Sequence, residues 1–260
     1  MAGDAGGPGP GPAVDEALVS ALAEQIAGRG EDLRRRIEAH AAGPVQVVAV
    51  TKGHPVEVAL AAVRAGFTVL GENYAQELRD KAPAVARALA GAVDGAADGA
   101  VDGAVDGAAD GAADGVQWHF IGRLQSNKVR MLAPHVALWE SLDRPSVIRE
   151  VARRAPGAAV LVQVDLAGIE GRGGCARPDA PAMVGLAREL GLDVRGLMGV
   201  GPPGGPEHAR EGFRWLRAEA EALGLLEVSM GMSADLEVAL EEGSTMVRVG
   251  SALVGPRPPR

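Results

Sequence analysis

Lysine is the residue type to follow in this chain, because it is scarce. Three Lys (Lys52, Lys81 and Lys128) stand against 23 Arg in 260 residues. An Arg guanidinium stays protonated, whereas a buried Lys can lose its proton and attack a carbonyl. A lysine kept where the composition favours arginine therefore marks a place where an amine is needed. Lys52 follows Val45-Gln-Val-Val-Ala-Val-Thr51, an almost continuous β-branched run. Such runs are buried on both faces, as in parallel sheets. Lys81 and Lys128 fall in helical patterns and read as solvated positions.

Two turns supply the complementary chemistry. Met230-Gly231-Met232-Ser233 and Arg248-Val249-Gly250-Ser251 are built from small residues. Small residues let backbone N–H groups approach an anion, and a following helix adds the positive end of its dipole. An amine facing an anion cradle suits a phosphorylated aldehyde held as a Schiff base, and pyridoxal 5′-phosphate (PLP) is the obvious candidate. Arg248 interrupts an apolar strand, and a buried guanidinium requires a partner. Plain structural readings stand beside these. Ser233 and Asn73 suit helix N-caps, Gly250-Ser251 a turn, Lys52 a snorkelling surface amine, and His119 a packed interior histidine.

These residues need elements to position them. Eight short apolar runs recur: Val45–Thr51, Phe67–Leu70, Gln117–Ile121, Val136–Trp139, Ala159–Leu166, Val194–Val200, Leu226–Met230 and Thr245–Val249. Helical patterns separate them: Pro55–Arg64, Tyr74–Leu89, Ser126–Leu132, Pro145–Arg154, Asp179–Leu190, Pro206–Leu223 and Ala234–Glu241. A further helical stretch, Val14–Ala41, precedes the first run. The alternation predicts an α/β protein, a single (β/α)8 TIM-type barrel, with a doubly wound open sheet as the competing architecture. Barrel active sites lie at the C-terminal strand ends. There the sequence places Lys52, Asn73, Ser141, Asp165 and the two Gly/Ser turns, with His119 inside the third strand.

Composition sets the limits. The net charge is −8, of which six charges belong to the Asp of six tandem Ala-(Ala/Val)-Asp-Gly copies at residues 92–115. The rest of the chain carries −2, with no basic face for nucleic acid. No apolar run reaches the ~18–20 residues of a membrane span. One cysteine, Cys175, leaves no internal disulfide and no Cys-based zinc site. The five His are scattered, so no metal is expected. The expected organisation is a disordered tail over 1–13, a barrel over 14–255 interrupted by a low-complexity loop at 91–115, and a tail over 256–260. A cytoplasmic protein is expected.

The motifs also resemble a known family. Ala49-Val-Thr-Lys52, Gly71-Glu-Asn-Tyr-Ala-Gln-Glu-Leu78 and Trp118-His-Phe-Ile-Gly-Arg-Leu-Gln-Ser-Asn-Lys128 match in order. So do Gly196-Leu-Met198, Ser229-Met-Gly-Met-Ser-Ala-Asp235 and Gly243-Ser-Thr-Met-Val-Arg-Val-Gly-Ser251. Over roughly residues 14–255 the chain resembles the YggS/PROSC family of pyridoxal phosphate homeostasis proteins. The resemblance implies a barrel like the alanine racemase N-terminal domain and a covalent PLP aldimine on Lys52. It implies phosphate binding by Ser233, Gly250 and Ser251, Arg248 at the pyridine nitrogen and Asn73 near the ring. His119 and Met230 complete the expected cofactor-binding set, and no catalytic residue is assigned. Where the family often carries a second Lys beyond the cofactor lysine, this chain has Gly53-His54, which bears on how cofactor is handed on.

An Arg at the pyridine nitrogen, rather than a carboxylate, disfavours its protonation and weakens the cofactor as an electron sink. A racemase also needs a second base on the opposite face of the ring. The only tyrosine is Tyr74, and the chain ends at Arg260 without a second domain to assist. The expected role is therefore PLP binding, homeostasis and delivery by a monomer whose partners are PLP and apo PLP-dependent enzymes. A weak amino-acid racemase or lyase is the alternative, and a sugar-phosphate aldolase using Lys52 a third.

Overall fold

The structure is a computed structural model that describes residues 14–96, 115–169 and 171–258. Eight parallel strands close into a barrel in sequence order: β1 (Gln46–Val50), β2 (Val69–Glu72), β3 (Gln117–Phe120), β4 (Val136–Leu142), β5 (Ala159–Asp165), β6 (Asp193–Val200), β7 (Glu227–Ser229) and β8 (Met246–Val249). Pairing of β8 with β1 completes the ring, with Val48 opposite Arg248. The predicted barrel is thus the observed fold, and the open sheet is excluded.

Helices α2 (Val56–Arg64), α3 (Ala75–Ala96), α4 (Ser126–Leu132), α5 (Pro145–Arg154), α6 (Ala180–Glu189), α7 (Arg210–Ala222) and α8 (Leu236–Glu241) alternate with the strands, and α9 (Ser251–Val254) follows the last. The additional helix α1 (Glu16–His40) precedes β1 and packs against α2, α8 and α9, outside the β8–β1 seam. Asp15 caps it by accepting from Leu18 N at 3.0 Å. Its buried residues Val19, Ile26, Gly30 and Leu33 lie on one helical face. A Cβ at Gly30 would stand 2.7 Å from Phe67 Cζ, so glycine there admits the Phe67 ring.

That packing explains one shift from expectation. The second strand begins at Val69, not Phe67. Gly66 (φ 87°) terminates α2, and the N–H of Phe67 bonds to Ala62 O at 2.9 Å, five residues back. This six-to-one bond with a left-handed glycine is a Schellman end. It spends Phe67 on α1 and moves Gly71 and Glu72 into the strand. The same bond closes α6 (Leu192 to Ala187), α7 (Leu225 to Ala220) and α8 (Ser244 to Ala239). Four of the helix-to-strand connections therefore share one turn chemistry.

Side chains along β1 alternate by the two-residue strand period. Ala49 packs outward under the helices, while Val48 faces the barrel interior with Val69, Leu138, Ala159, Leu161, Met198 and Met246. Trp118 and Trp139 are buried in the outer layer between strands and helices. Helix α3 runs to Ala96, into the first Ala-Val-Asp-Gly copies. The remainder of the repeat (97–114), the 1–13 segment and residues 259–260 lie outside the described residues. No helix among the described residues is long and apolar enough to cross a membrane.

Candidate active site

Above the apolar floor of the barrel lies a polar layer. Arg248 is 4% exposed; its Nη1 donates to Ser229 Oγ at 2.5 Å and its Nη2 to the Gly199 carbonyl at 2.8 Å. Ser229 Oγ donates to Glu140 Oε2 at 2.6 Å, and Glu140 Oε1 meets His119 Nδ1 at 2.7 Å. Glu140 is fully buried and lies 3.9 Å from Arg248 Nη1, so it balances the guanidinium. Burial lowers the Arg248 pKa, and the charges of Glu140 and Asp235 oppose that fall. The partner demanded by an arginine in an apolar strand is thus a carboxylate on the far side of a shared serine.

The next layer toward the C-terminal strand ends is open. A cavity of about 470 Å³ is lined by Lys52, Asn73, Ser233, Arg248, Gly250 and Ser251, together with Val50, Ile121, Arg172, Val200, Met232, Ala234 and Arg257. Lys52 reaches it because it continues the inward series Val48, Val50, Lys52 at the end of β1. Its amine is half-buried and its pKa falls, first through burial, then through the positive charges of Arg257 and Arg248, with Glu72 opposing. An amine held toward its neutral form is a nucleophile.

Gly122 fixes the neighbouring wall: a Cβ there would fall 2.0 Å from the Asn73 carbonyl oxygen. Asn73 precedes α3 by two residues, and its Oδ1 is buried with no hydrogen-bond partner among the described residues. It therefore faces the cavity rather than capping the helix. Ser233 is not a cap either. Helix α8 starts at Leu236, and Asp235 holds the preceding turn by accepting from Met232 N at 2.7 Å.

Six residues of the expected set meet around this cavity: Lys52, Asn73, Ser233, Arg248, Gly250 and Ser251. Two do not line it. Met230 is fully buried in an outer apolar cluster with Phe213, Val228 and Ala239, and its N–H is bonded to Met246 O. His119 sits a layer deeper, bonded to Glu140, and relates to the cavity only through Ser229 and Arg248. Strand parity separates them: Ser229 turns inward, so Met230 turns outward.

Two further corrections concern charge. Lys81 is not solvated but buried at 7% exposure. Arg257 belongs to the site, although 256–260 reads as a tail. Gly255 (φ 92°) turns the chain after α9 and brings the Arg257 side chain against Gly53, beside Lys52. No sequence signal marks Arg257, because its place depends on that turn returning over β1.

Residues 32–258 match the family model for the alanine racemase N-terminal domain. A pyridoxal phosphate homeostasis protein of Pseudomonas aeruginosa is 33% identical over 250 residues, covering 92% of this chain and 97% of that protein. The chain belongs to the pyridoxal phosphate homeostasis protein family. A second member, from Deinococcus radiodurans, is 36% identical over 82% of this chain and 90% of its own. Among solved structures, PipY of Synechococcus elongatus with PLP bound superposes with a TM-score of 0.66 at 28% identity, over 89% of this chain and all of that one. An alanine racemase of Clostridium difficile shares the fold (TM-score 0.58, 14% identity) over 91% of this chain and 57% of its own.

The cavity of this family member suits a phosphorylated aromatic aldehyde on its own chemistry. Backbone N–H groups of Ser233, Ala234, Gly250 and Ser251 have no acceptor among the described residues. Such N–H groups, with the Ser233 and Ser251 hydroxyls, are donors for a phosphate. Lys52 supplies an amine, and Arg248 a donor from beneath.

Proposed function

We propose that this chain binds pyridoxal 5′-phosphate in the cavity at the C-terminal end of the barrel, joined to Lys52 as a Schiff base. Its role in that reading is cofactor homeostasis: holding PLP inside the cell and passing it to apo enzymes. One observation carries the reading. The half-buried Lys52 amine shares one cavity with Gly/Ser turns whose N–H groups have no acceptor among the described residues. PLP supplies an aldehyde that condenses with a neutral amine, with loss of water, to an imine.

The residues of the chain divide the work. Ser233, Gly250 and Ser251 hold the phosphate, and Arg257 adds a positive charge at the mouth. Arg248, braced by Ser229 and Glu140, would sit at the pyridine nitrogen and disfavour its protonation, because a positive neighbour disfavours a second positive charge. Asn73, whose Oδ1 has no partner among the described residues, would lie near the ring. A site that withholds the ring proton makes the cofactor a poorer electron sink, so the reading includes no established turnover and keeps weak racemisation as its alternative. A cytoplasmic monomer fits it.

The test is spectroscopic. The purified protein loaded with PLP should show a Schiff-base band that borohydride bleaches, and the reduced pyridoxyl group should map to the Lys52 peptide. Lys52→Ala should abolish the band; a band retained in that variant means another amine is the attachment point. Incubation with single-enantiomer amino acids should leave their configuration unchanged, and inversion at enzymatic rates would replace storage with racemisation.

A further inference from the structure

The second of the three lysines is spent in an unusual way. Lys81, on α3, has its ammonium beneath the segment that carries Lys52. Its three donors meet three acceptors: the Thr51 carbonyl at 2.8 Å, Glu72 Oε1 at 2.7 Å and Glu77 Oε2 at 3.0 Å. The same Glu77 oxygen accepts from the Gly53 N–H at 2.7 Å, and Glu72 Oε1 accepts from Thr51 Oγ1 at 2.8 Å. The peptide groups on both sides of Lys52 are therefore tied to one ammonium, Thr51 directly and Gly53 through a carboxylate. Gly53 needs such a hold, because it stands at φ 73° in a left-handed turn. An ammonium points three donors in a tripod, whereas a guanidinium presents a planar fork. That geometry accounts for a lysine surviving here in a chain that otherwise uses arginine.

We propose that Lys81, acting with Glu72 and Glu77, is a positioning residue for Lys52: a buried clamp that fixes the backbone from Thr51 to Gly53 and so aims the Lys52 amine into the cavity. It touches neither cofactor nor reacting atoms. The proposal rests on the PLP reading only for its binding readout. Lys81 is the one side chain among the described residues on the Thr51 carbonyl, which also accepts from the His54 N–H at 3.1 Å, and Glu77, itself bonded to Lys81, is the one on the Gly53 N–H.

The test separates aiming from stability. Lys81→Met removes the tripod but leaves Glu72 as a buried, unpaired carboxylate. Adding Glu72→Gln removes that charge without rebuilding the clamp. Both variants of the full chain should bind PLP about tenfold more weakly, about 1.4 kcal/mol, even where the double variant recovers thermal stability. Val151→Ala, a buried truncation on α5 far from the clamp, should lower thermal stability and leave PLP affinity unchanged. Glu77→Ala, at a partly exposed position, should shift affinity the same way by a smaller factor, and serves if Lys81→Met does not fold.

The three lysines also allow a readout without cofactor. In protein labelled at the lysine ε-carbon, the Lys52 signal should lose its distinct shift in the Lys81 and Glu77 variants. If Lys81→Met/Glu72→Gln binds PLP as tightly as the parent, with an unchanged Lys52 signal, the clamp is refuted. If the parent chain shows no Schiff-base band, the PLP reading fails by itself. The Lys52 signal then decides the clamp: altered in the variants it supports the proposal, unaltered it overturns it.

Discussion

Arg248→Met is the most informative single change, because the structure states what it leaves behind. Arg248 makes two side-chain hydrogen bonds, to Ser229 Oγ and the Gly199 carbonyl, and sits 3.9 Å from a fully buried Glu140. Methionine fills much of the same volume but strips Glu140 of its nearby positive charge. Breaking a buried pair from one side costs about 3–5 kcal/mol, most of it the penalty of the orphaned charge. For a domain of this size each kcal/mol lowers Tm by about 2–4 °C, so the cofactor-free variant should melt about 6–20 °C lower. Glu140→Gln alone should also destabilise, since it orphans the guanidinium. The double variant Arg248→Met/Glu140→Gln should then recover part of the loss, with a coupling of about 1–3 kcal/mol. Calorimetry or fluorescence melts of the four proteins give the cycle. Strictly additive losses would refute the claim that Glu140 charge-balances Arg248 across Ser229, and with it the argument that the site keeps a fixed positive charge under the pyridine nitrogen.

Three other outcomes follow from single groups. The folded protein depresses the Lys52 pKa, so the native state binds fewer protons at that amine than the unfolded chain does between the depressed value and the ordinary lysine value of 10.5. Holding the amine charged therefore costs stability in full below the folded pKa, and the cost fades as pH rises through that window. Lys52→Met should accordingly exceed the parent in urea stability near neutral pH, with the gap narrowing toward pH 10; a gap that widens with pH would reverse the sign. The Cys175 thiol, buried and pushed up to about 12, should resist a thiol reagent at pH 8 in the folded protein and react with one equivalent after denaturation. Arg257→Gln should weaken PLP binding several-fold at low salt and much less at high salt, because a charge at the open mouth is screened; titrations at two ionic strengths check this.

Much of this protein is legible in its sequence because the relevant physics is local. Strand burial on both faces writes continuous β-branched runs, helices between them write a 3.6-residue pattern, and eight strands in that alternation favour a barrel, while ring closure through the β8–β1 pairing decides it against an open sheet. The Gly/Ser turns and the lone arginine in an apolar strand are likewise local signals, and they mark one end of the barrel before any coordinates exist. The scarcity of lysine singles out Lys52, which the structure places at the cavity, but gives no sign that Lys81 is buried. Strand parity, in contrast, separates inward Ser229 from outward Met230 only once the register is known. Tertiary structure alone decided that His119 serves Arg248 through Glu140 rather than facing the cavity. It also decided that Lys81 turns under Thr51 and that Arg257 folds back over β1. Each of those depends on groups 20 or more residues apart coming into contact, and no residue spacing along the chain encodes which distant partner closes the distance.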